Sequence, residues 1–266
     1  MIGISSVGFF ASSGGGSAYD VDALDYFTRN STLTDLTQKT AINQFVLDLK
    51  SYSLFGLGKY LYLGFLGDST KFSHNLFSSS NQLTISSGWT FDSHGAKGNG
   101  TSAYAQTSFI PSVSANKDNQ SFGVYSQTNI DEGSTDLGSF YSGANGRMHI
   151  LLRNGGIAYV QMGATGYDTP FISDSRGYFL TSRNSASSFT MYKGTSQIVN
   201  NTGLATTINI PTQDYIGALN GDNVAQLFST RKYSLAFRFT ALTQTQSNNL
   251  KTCIETLLTS LSIPTW

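Results

Sequence analysis

Two stretches of this chain place apolar residues at helical spacing, and they bracket a long middle that does not. Ile42, Phe45, Val46 and Leu49 fall at i, i+3, i+4 and i+7, the apolar face of a helix. Asp35 can cap it, with Gln38 three residues on, and Gly56 and Gly58 follow as breakers. Near the other end, Leu250, Cys253, Ile254, Leu257, Leu258 and Leu261 form a second stripe, opened by the capping pair Thr243 and Gln246 and stopped by Pro264. Asp20–Arg29 reads as a shorter helix, capped by Asp20, with Leu24 and Phe27 inward.

From Tyr60 to Phe239 the period changes. Short aromatic and β-branched runs alternate with Gly, Asn, Ser and Asp turns. The expected strands are Tyr60–Leu66, Leu83–Phe91, Ala103–Phe109, Ser121–Thr128, Leu137–Tyr141, Met148–Arg153 and Ile157–Met162. Gly177–Asn184, Ser187–Lys193, Gln197–Asn200, Asp214–Ala218, Ala225–Phe228 and Tyr233–Phe239 complete the set. Asn154-Gly155-Gly156 and Asn220-Gly221-Asp222 are hairpin signals. Strands this numerous, spaced by about ten residues, predict a sandwich or a barrel. The C-terminal stripe cannot bury itself. Its expected partner is the Ile42–Leu49 helix or the outer face of a sheet.

The first residues follow neither period. Met1–Ala11 is apolar through Ile2, Ile4, Val7, Phe9 and Phe10, and Ser12–Ser17 reads as a flexible tether. Two readings stand side by side: a strand of the domain's own sheet or a disordered piece, or an anchor that docks into another protein. The expected organisation is an extension over 1–19 and a domain over 20–266. The start lacks the positive region of a signal peptide, so no secretory leader is expected. No run approaches the roughly 20 apolar residues that span a bilayer.

Composition narrows the function. Apolar residues make up 39% of the 266, enough for a core. Charged residues are only 12%, against about 25% in an ordinary protein. Polarity rests instead on Ser, Thr, Asn, Gln and Gly. Net charge is zero and the longest basic run is Arg231-Lys232, so a nucleic-acid partner is not expected. The single Cys253 cannot form an internal disulfide and reads as a small core residue.

Three stretches carry a resemblance. Asp35–Lys50, then Ser87-Gly-Trp-Thr-Phe91 with Gly98-Asn-Gly-Thr-Ser-Ala-Tyr-Ala105, then Leu242–Lys251, resemble the opening helix, a "GW… G.NG..AYA" passage and the closing helix of concanavalin-A-like lectin/glucanase domains of phage and prophage structural proteins. Gly98-Asn99-Gly100 also reads independently as a tight turn whose glycines allow positive φ, flanked by Trp89 and Tyr104. The resemblance spans about Val21 to Leu261. It implies a mainly β jelly-roll sandwich with helices near each end. It further implies a virion-surface protein, a spike, fibre or decoration module that meets a host glycan or receptor, often as a homotrimer. The N-terminal peptide would then anchor it to a capsid or tail protein. A secreted bacterial lectin or adhesin is the alternative.

Catalysis lacks its usual parts. Glucanases of this fold place two Glu on one strand, yet only Glu132 and Glu255 occur, one in an expected surface loop beside Asp131 and one on the C-terminal helix. No enzyme is expected, and a polysaccharide-degrading enzyme is the remote alternative. His74, His94 and His149 share no metal-ligand spacing and read as turn or surface residues. No cofactor is expected. A calcium ion is left open, because Asp131, Glu132 and Asp136 crowd one loop and Asp168 and Asp174 another. Sugar contacts would need exposed aromatics for stacking and polar groups for hydroxyls. The loop-borne candidates are Tyr141, Asn145, Arg147 and Tyr167.

Overall fold

Asp20 accepts a hydrogen bond from the Asp22 amide and starts helix α1 (Val21–Arg29); Asp35 accepts from the Gln38 amide and starts α2 (Leu36–Ser51). The computed structural model describes residues 19–144 and 146–266; the expected extension lies, but for Tyr19, outside them. Strand β1 (Gly58–Leu63) and a single turn α3 (Ser69–Phe72) come next. Short strands β2 (Thr84–Ile85), β3 (Thr90–Asp92), β4 (Gly95–Lys97) and β5 (Ala105–Gln106) precede another single turn, α4 (Pro111–Ser114). The long strands are β6 (Gln120–Ser126), β7 (Leu137–Tyr141), β8 (Gly146–Asn154), β9 (Ile157–Ala164), β10 (Gly177–Arg183), β11 (Phe189–Lys193) and β12 (Ser196–Asn201). After β13 (Tyr215–Ile216), β14 (Leu219–Gly221), β15 (Val224–Gln226) and β16 (Lys232–Phe239) the chain closes with α5 (Gln244–Ser260).

The strands form two sheets. Sheet A runs β12-β11-β10-β6-β16-β4-β3, with β1 paired to β16. Sheet B runs β15-β14-β7-β13-β5-β2, and β8 and β9 continue it beyond β7. Segment 168–171 bridges to β9 at Val160 and Ile157 and extends that edge.

Alternation along the sheet A strands sends side chains into two separate cores. Phe122 and Val124 of β6, Phe179 of β10 and Met191 of β11 face sheet B, against Leu137, Met148, Ile150, Val160, Met162 and Ile216. Tyr125, Tyr178, Leu180, Tyr192, Leu235 and Phe237 point the other way, onto Ile42, Phe45, Leu250, Ile254 and Leu257 of the helices. Sheet A is therefore covered on both faces, and β6 and β10 are buried along their whole length. The C-terminal stripe packs on α2 and on sheet A together. The fold is a mainly β sandwich of the jelly-roll kind with a helical layer on one sheet.

Several elements depart from expectation. On α1, Ala23 and Tyr26 turn inward with Phe27, while Leu24 is half exposed. The expected strand Leu83–Phe91 is two strands on different sheets, because the chain turns at Gly88, where φ is +95°. Ala103–Phe109 shrinks to β5, beyond which the Thr107 amide and Oγ1 both bond to the Asp214 carbonyl. The β8–β9 hairpin turns at Gly155 and Gly156, both at positive φ, as Asn-Gly-Gly predicts. The β14–β15 hairpin turns one residue later than expected, with Asp222 and Asn223 in the left-handed region.

Charged groups cross the core between the sheets. Arg238 of β16 lies with Nε 3.0 Å from Asp214 Oδ2, and both side chains are buried. Phe109 and Phe122 flank the guanidinium at 4.8 and 4.9 Å. Tyr60 of β1 and Ser139 of β7 donate to the same carboxylate, and Gln120 Oε1 accepts from Arg238 Nη1. We expect Arg238→Ala to destabilise the protein by about 3–5 kcal/mol, because it strands a buried carboxylate. Pairing Arg238→Met with Asp214→Leu should recover most of the loss. Urea unfolding of the three variants checks both.

Candidate functional site

With the helices on sheet A, the outer face of sheet B is the one that neither hydrophobic cluster draws on. Its residues follow from register. Leu137, Met148, Ile150, Val160 and Met162 point into the sandwich, so Phe140, Arg147, His149, Leu151, Tyr159 and Gln161 point out. Phe140 pairs across the ladder with Arg147, and His149 with Gln161. The Arg147 guanidinium lies over the Phe140 ring at 4.6 Å. At the β9 edge Tyr159 and Tyr167 sit with ring centroids 5.6 Å apart, and Tyr167 is 57% exposed. Across the sheet, Tyr215 of β13 stacks on Tyr104 at 4.7 Å, with Phe228 at 6.5 Å from Tyr104. The face thus sets aromatic rings, of which Tyr167 is the exposed one, beside the Arg147 guanidinium.

Of the sequence candidates, Arg147 and Tyr167 belong to this face, Arg147 on a strand and not on a loop. Tyr141 does not belong to it. It ends β7 with the parity of Leu137 and packs against the core between the sheets. Asn145 lies outside the described residues. His149 was expected at a turn or surface, and it is a buried residue of β8. Burial pushes its imidazole down to about 3, and the charge of Arg147 adds to this, against a hydrogen bond with Gln161. Its Nδ1 has no hydrogen-bond partner among the described residues. Gln161 uses its amide to hold the Ala164, Thr165 and Gly166 carbonyls, which fixes the turn leading to Tyr167.

The carboxylates singled out by sequence are engaged elsewhere. Asp131 accepts from the Gly155 and Gly156 amides and pairs with Arg153, so it clamps the β8–β9 turn. Glu132 is not a loose surface group. It accepts from Ser229, Thr230 and the buried Arg231, which also pairs with the buried Asp136. Burial alone would raise the Glu132 carboxyl, but the hydroxyls of Thr230, Ser134 and Ser229 and the charge of Arg231 hold it below its ordinary value. Burial pushes the Asp136 carboxyl up, against the pull of Arg231 and Tyr233. Asp168 accepts from Asn201, and Asp174 takes Arg176 through both oxygens. Glu255 reaches back to a strand, accepting from Tyr125 of β6. Among the described residues no three His, Cys, Asp or Glu side chains are placed to hold a metal ion. No helix among them is long and apolar enough to cross a membrane.

No protein-family model matches the sequence, and no curated protein matches it either. Solved structures do share the fold. Domain 4 of AbnA, a GH43 extracellular arabinanase from Geobacillus stearothermophilus, solved in complex with arabinotriose, aligns with a TM-score of 0.51 at 12% identity. The alignment covers 72% of this chain and 97% of that domain. Trypanosoma rangeli sialidase in complex with 2,3-difluorosialic acid aligns with a TM-score of 0.56 at 10% identity, over 82% of this chain and 40% of the sialidase. The HCR/D F1240A mutant aligns with a TM-score of 0.55 at 9% identity, over 73% of this chain and 51% of its own. At such identities the likeness is one of fold.

His149 yields a pH prediction. Above about pH 6.5 the imidazole is neutral in both states; below it the unfolded chain takes up a proton that the folded chain refuses until about 3. Stability should therefore fall as pH drops below about 6.5, by at most about 1.4 kcal/mol per pH unit. His149→Gln should flatten this slope between about pH 7 and about pH 5, above the carboxylate range. Urea midpoints across that window test it. An unchanged slope would mean that the imidazole titrates as it does in water.

Proposed function

We propose that this chain is a carbohydrate-binding sandwich whose outer sheet B face meets a glycan, serving attachment and not catalysis. The observation that carries this reading is the aromatic cluster on that face: Tyr159 beside the exposed Tyr167, Tyr104 on Tyr215, and Arg147 on Phe140. Sugar rings stack on such aromatics while charged and amide groups take their hydroxyls. The arabinanase domain lends support, because it shares the fold over nearly its full length and was solved with arabinotriose.

The setting we propose is a virion surface, as a spike, fibre or decoration module that attaches to a host glycan or receptor. There Ile2, Ile4, Val7, Phe9 and Phe10 anchor the chain to a capsid or tail protein, and the domain assembles as a homotrimer. The charge-poor, hydroxyl-rich composition and the phage-like motifs support this setting. The engagement of Asp131 and Glu132 in turn and ion-pair contacts favours binding over hydrolysis. A second reading, a polysaccharide-degrading enzyme, draws on the arabinanase and sialidase among the structural neighbours. Depolymerisation of a polysaccharide that is lost in Asp131→Asn or Glu132→Gln, with folding intact, would establish it.

Calorimetry against arabinotriose and a panel of neutral oligosaccharides tests the face. Tyr167→Ala and Arg147→Ala should each weaken binding about 5- to 20-fold, roughly 1–2 kcal/mol, with melting unchanged. Binding that ignores both changes would remove sheet B as the site. A chain starting at Val21 should keep its oligomeric mass in light scattering and lose incorporation into particles. Incorporation equal to that of the full chain would end the anchor reading.

A further inference from the structure

A second concavity lies away from sheet B, where the β11–β12 turn, the start of β10, helix α5 and Trp266 meet. It encloses about 470 Å³, with Arg176, Lys193, Thr195, Ser196, Lys251 and Trp266 among its lining. This volume falls in the range of small-ligand sites, about 300–1,000 Å³. In a chain where charge is scarce, three cationic side chains line it against one acidic side chain, Asp174.

The parts are held in place. The Trp266 amide donates to Tyr125 Oη, and its indole donates to Gln127, which also binds the Pro264 carbonyl. Tyr125 Oη donates to Glu255, and Glu255 pairs with Lys251. One chain of hydrogen bonds through the buried Tyr125 therefore ties the aromatic ring to a cation of the pocket. Gly177 permits this docking: its φ is +94°, and a Cβ there would stand 2.8 Å from the Trp266 carbonyl oxygen. Arg176 stacks on the indole at 3.7 Å and is locked to Asp174 through Nε and Nη2.

Arg176 Nη1 donates to no acceptor among the described residues, and Lys193, its ammonium 5.8 Å from the centre of the Phe179 ring, pairs with no carboxylate among them. Lys193 nonetheless lies near enough to help Arg176 hold the Asp174 carboxyl below its usual range. Trp266 remains 48% exposed, so part of the indole faces solvent. A ligand that satisfies all of this carries a carboxylate for Arg176 Nη1 and Lys193, a ring for the indole, and hydroxyls for Thr195 and Ser196. We infer that this pocket binds an acidic saccharide, a uronic-acid-type sugar, independently of the sheet B face.

The test uses the full chain with trigalacturonate, its methyl ester and acetate, followed by calorimetry and tryptophan fluorescence. The acid form should bind about tenfold tighter than the ester. Raising salt from about 50 to about 300 mM should weaken the acid form and spare the ester. Lys193→Gln should lose at least about fivefold for the acid and erase the discrimination, and Trp266→Phe should remove the fluorescence change. Arg147→Ala and Tyr167→Ala should leave trigalacturonate binding intact, which separates this pocket from the sheet B site. Equal binding of acid and ester, indifference to Lys193→Gln in a variant with unchanged melting, or displacement by acetate at the saccharide's own concentrations would each overturn the inference.

Discussion

The sandwich depends on a carboxylate that has left water. Asp214 stands just before β13 of sheet B, and it takes Arg238 of β16, Tyr60 of β1 and Ser139 of β7 together. A lone buried carboxylate would cost several kcal/mol, so each of these donors is a condition for the close approach of the sheets. Phe109 and Phe122 on either side of the guanidinium keep the site dry. Asp136 and Arg231 repeat the arrangement where the chain enters β7 and β16, with Tyr233 as the added donor. Two ion pairs thus pin the sheets across their interface. Such pairs add little to stability over an apolar core, but they penalise any register that separates the partners.

A second constraint follows from the helices. α2 and α5 bury their stripes on sheet A, which makes sheet A a slab with apolar side chains on both faces. The outer face of sheet B carries no helical layer; Phe140 and Tyr159 stand on its strands, and Tyr104 and Tyr167 on the connections beside them. The pocket at Trp266 uses a different device: Trp266 donates its amide to Tyr125 and its indole N–H to Gln127, and so becomes one wall.

Much of the architecture was legible in the sequence. Period and caps determined the helices, because Asp20, Asp35 and Thr243 each satisfy amides that the first helical turn leaves open. Alternation and turn residues placed the long strands and the β8–β9 hairpin, because these signals act between near neighbours. Arg147 and Tyr167 were found as binding candidates because both stand close to turn residues.

The tertiary structure decided the rest, where distant residues compete for one environment. Arg231 reads as a surface basic residue until Asp136, 95 positions away, meets it in the core. His149 reads as polar and exposed, yet it is buried on the outward side of β8, and parity alone cannot say how deeply a face is covered. Tyr141 lost its place at the site because strand parity turned it inward. Leu83–Phe91 divides between two sheets where the chain turns at Gly88. Sequence determined the local elements, since their hydrogen bonds close within a few residues. Which charges are buried, and which sheet takes the helices, was settled only when the two sheets and the helical layer packed together.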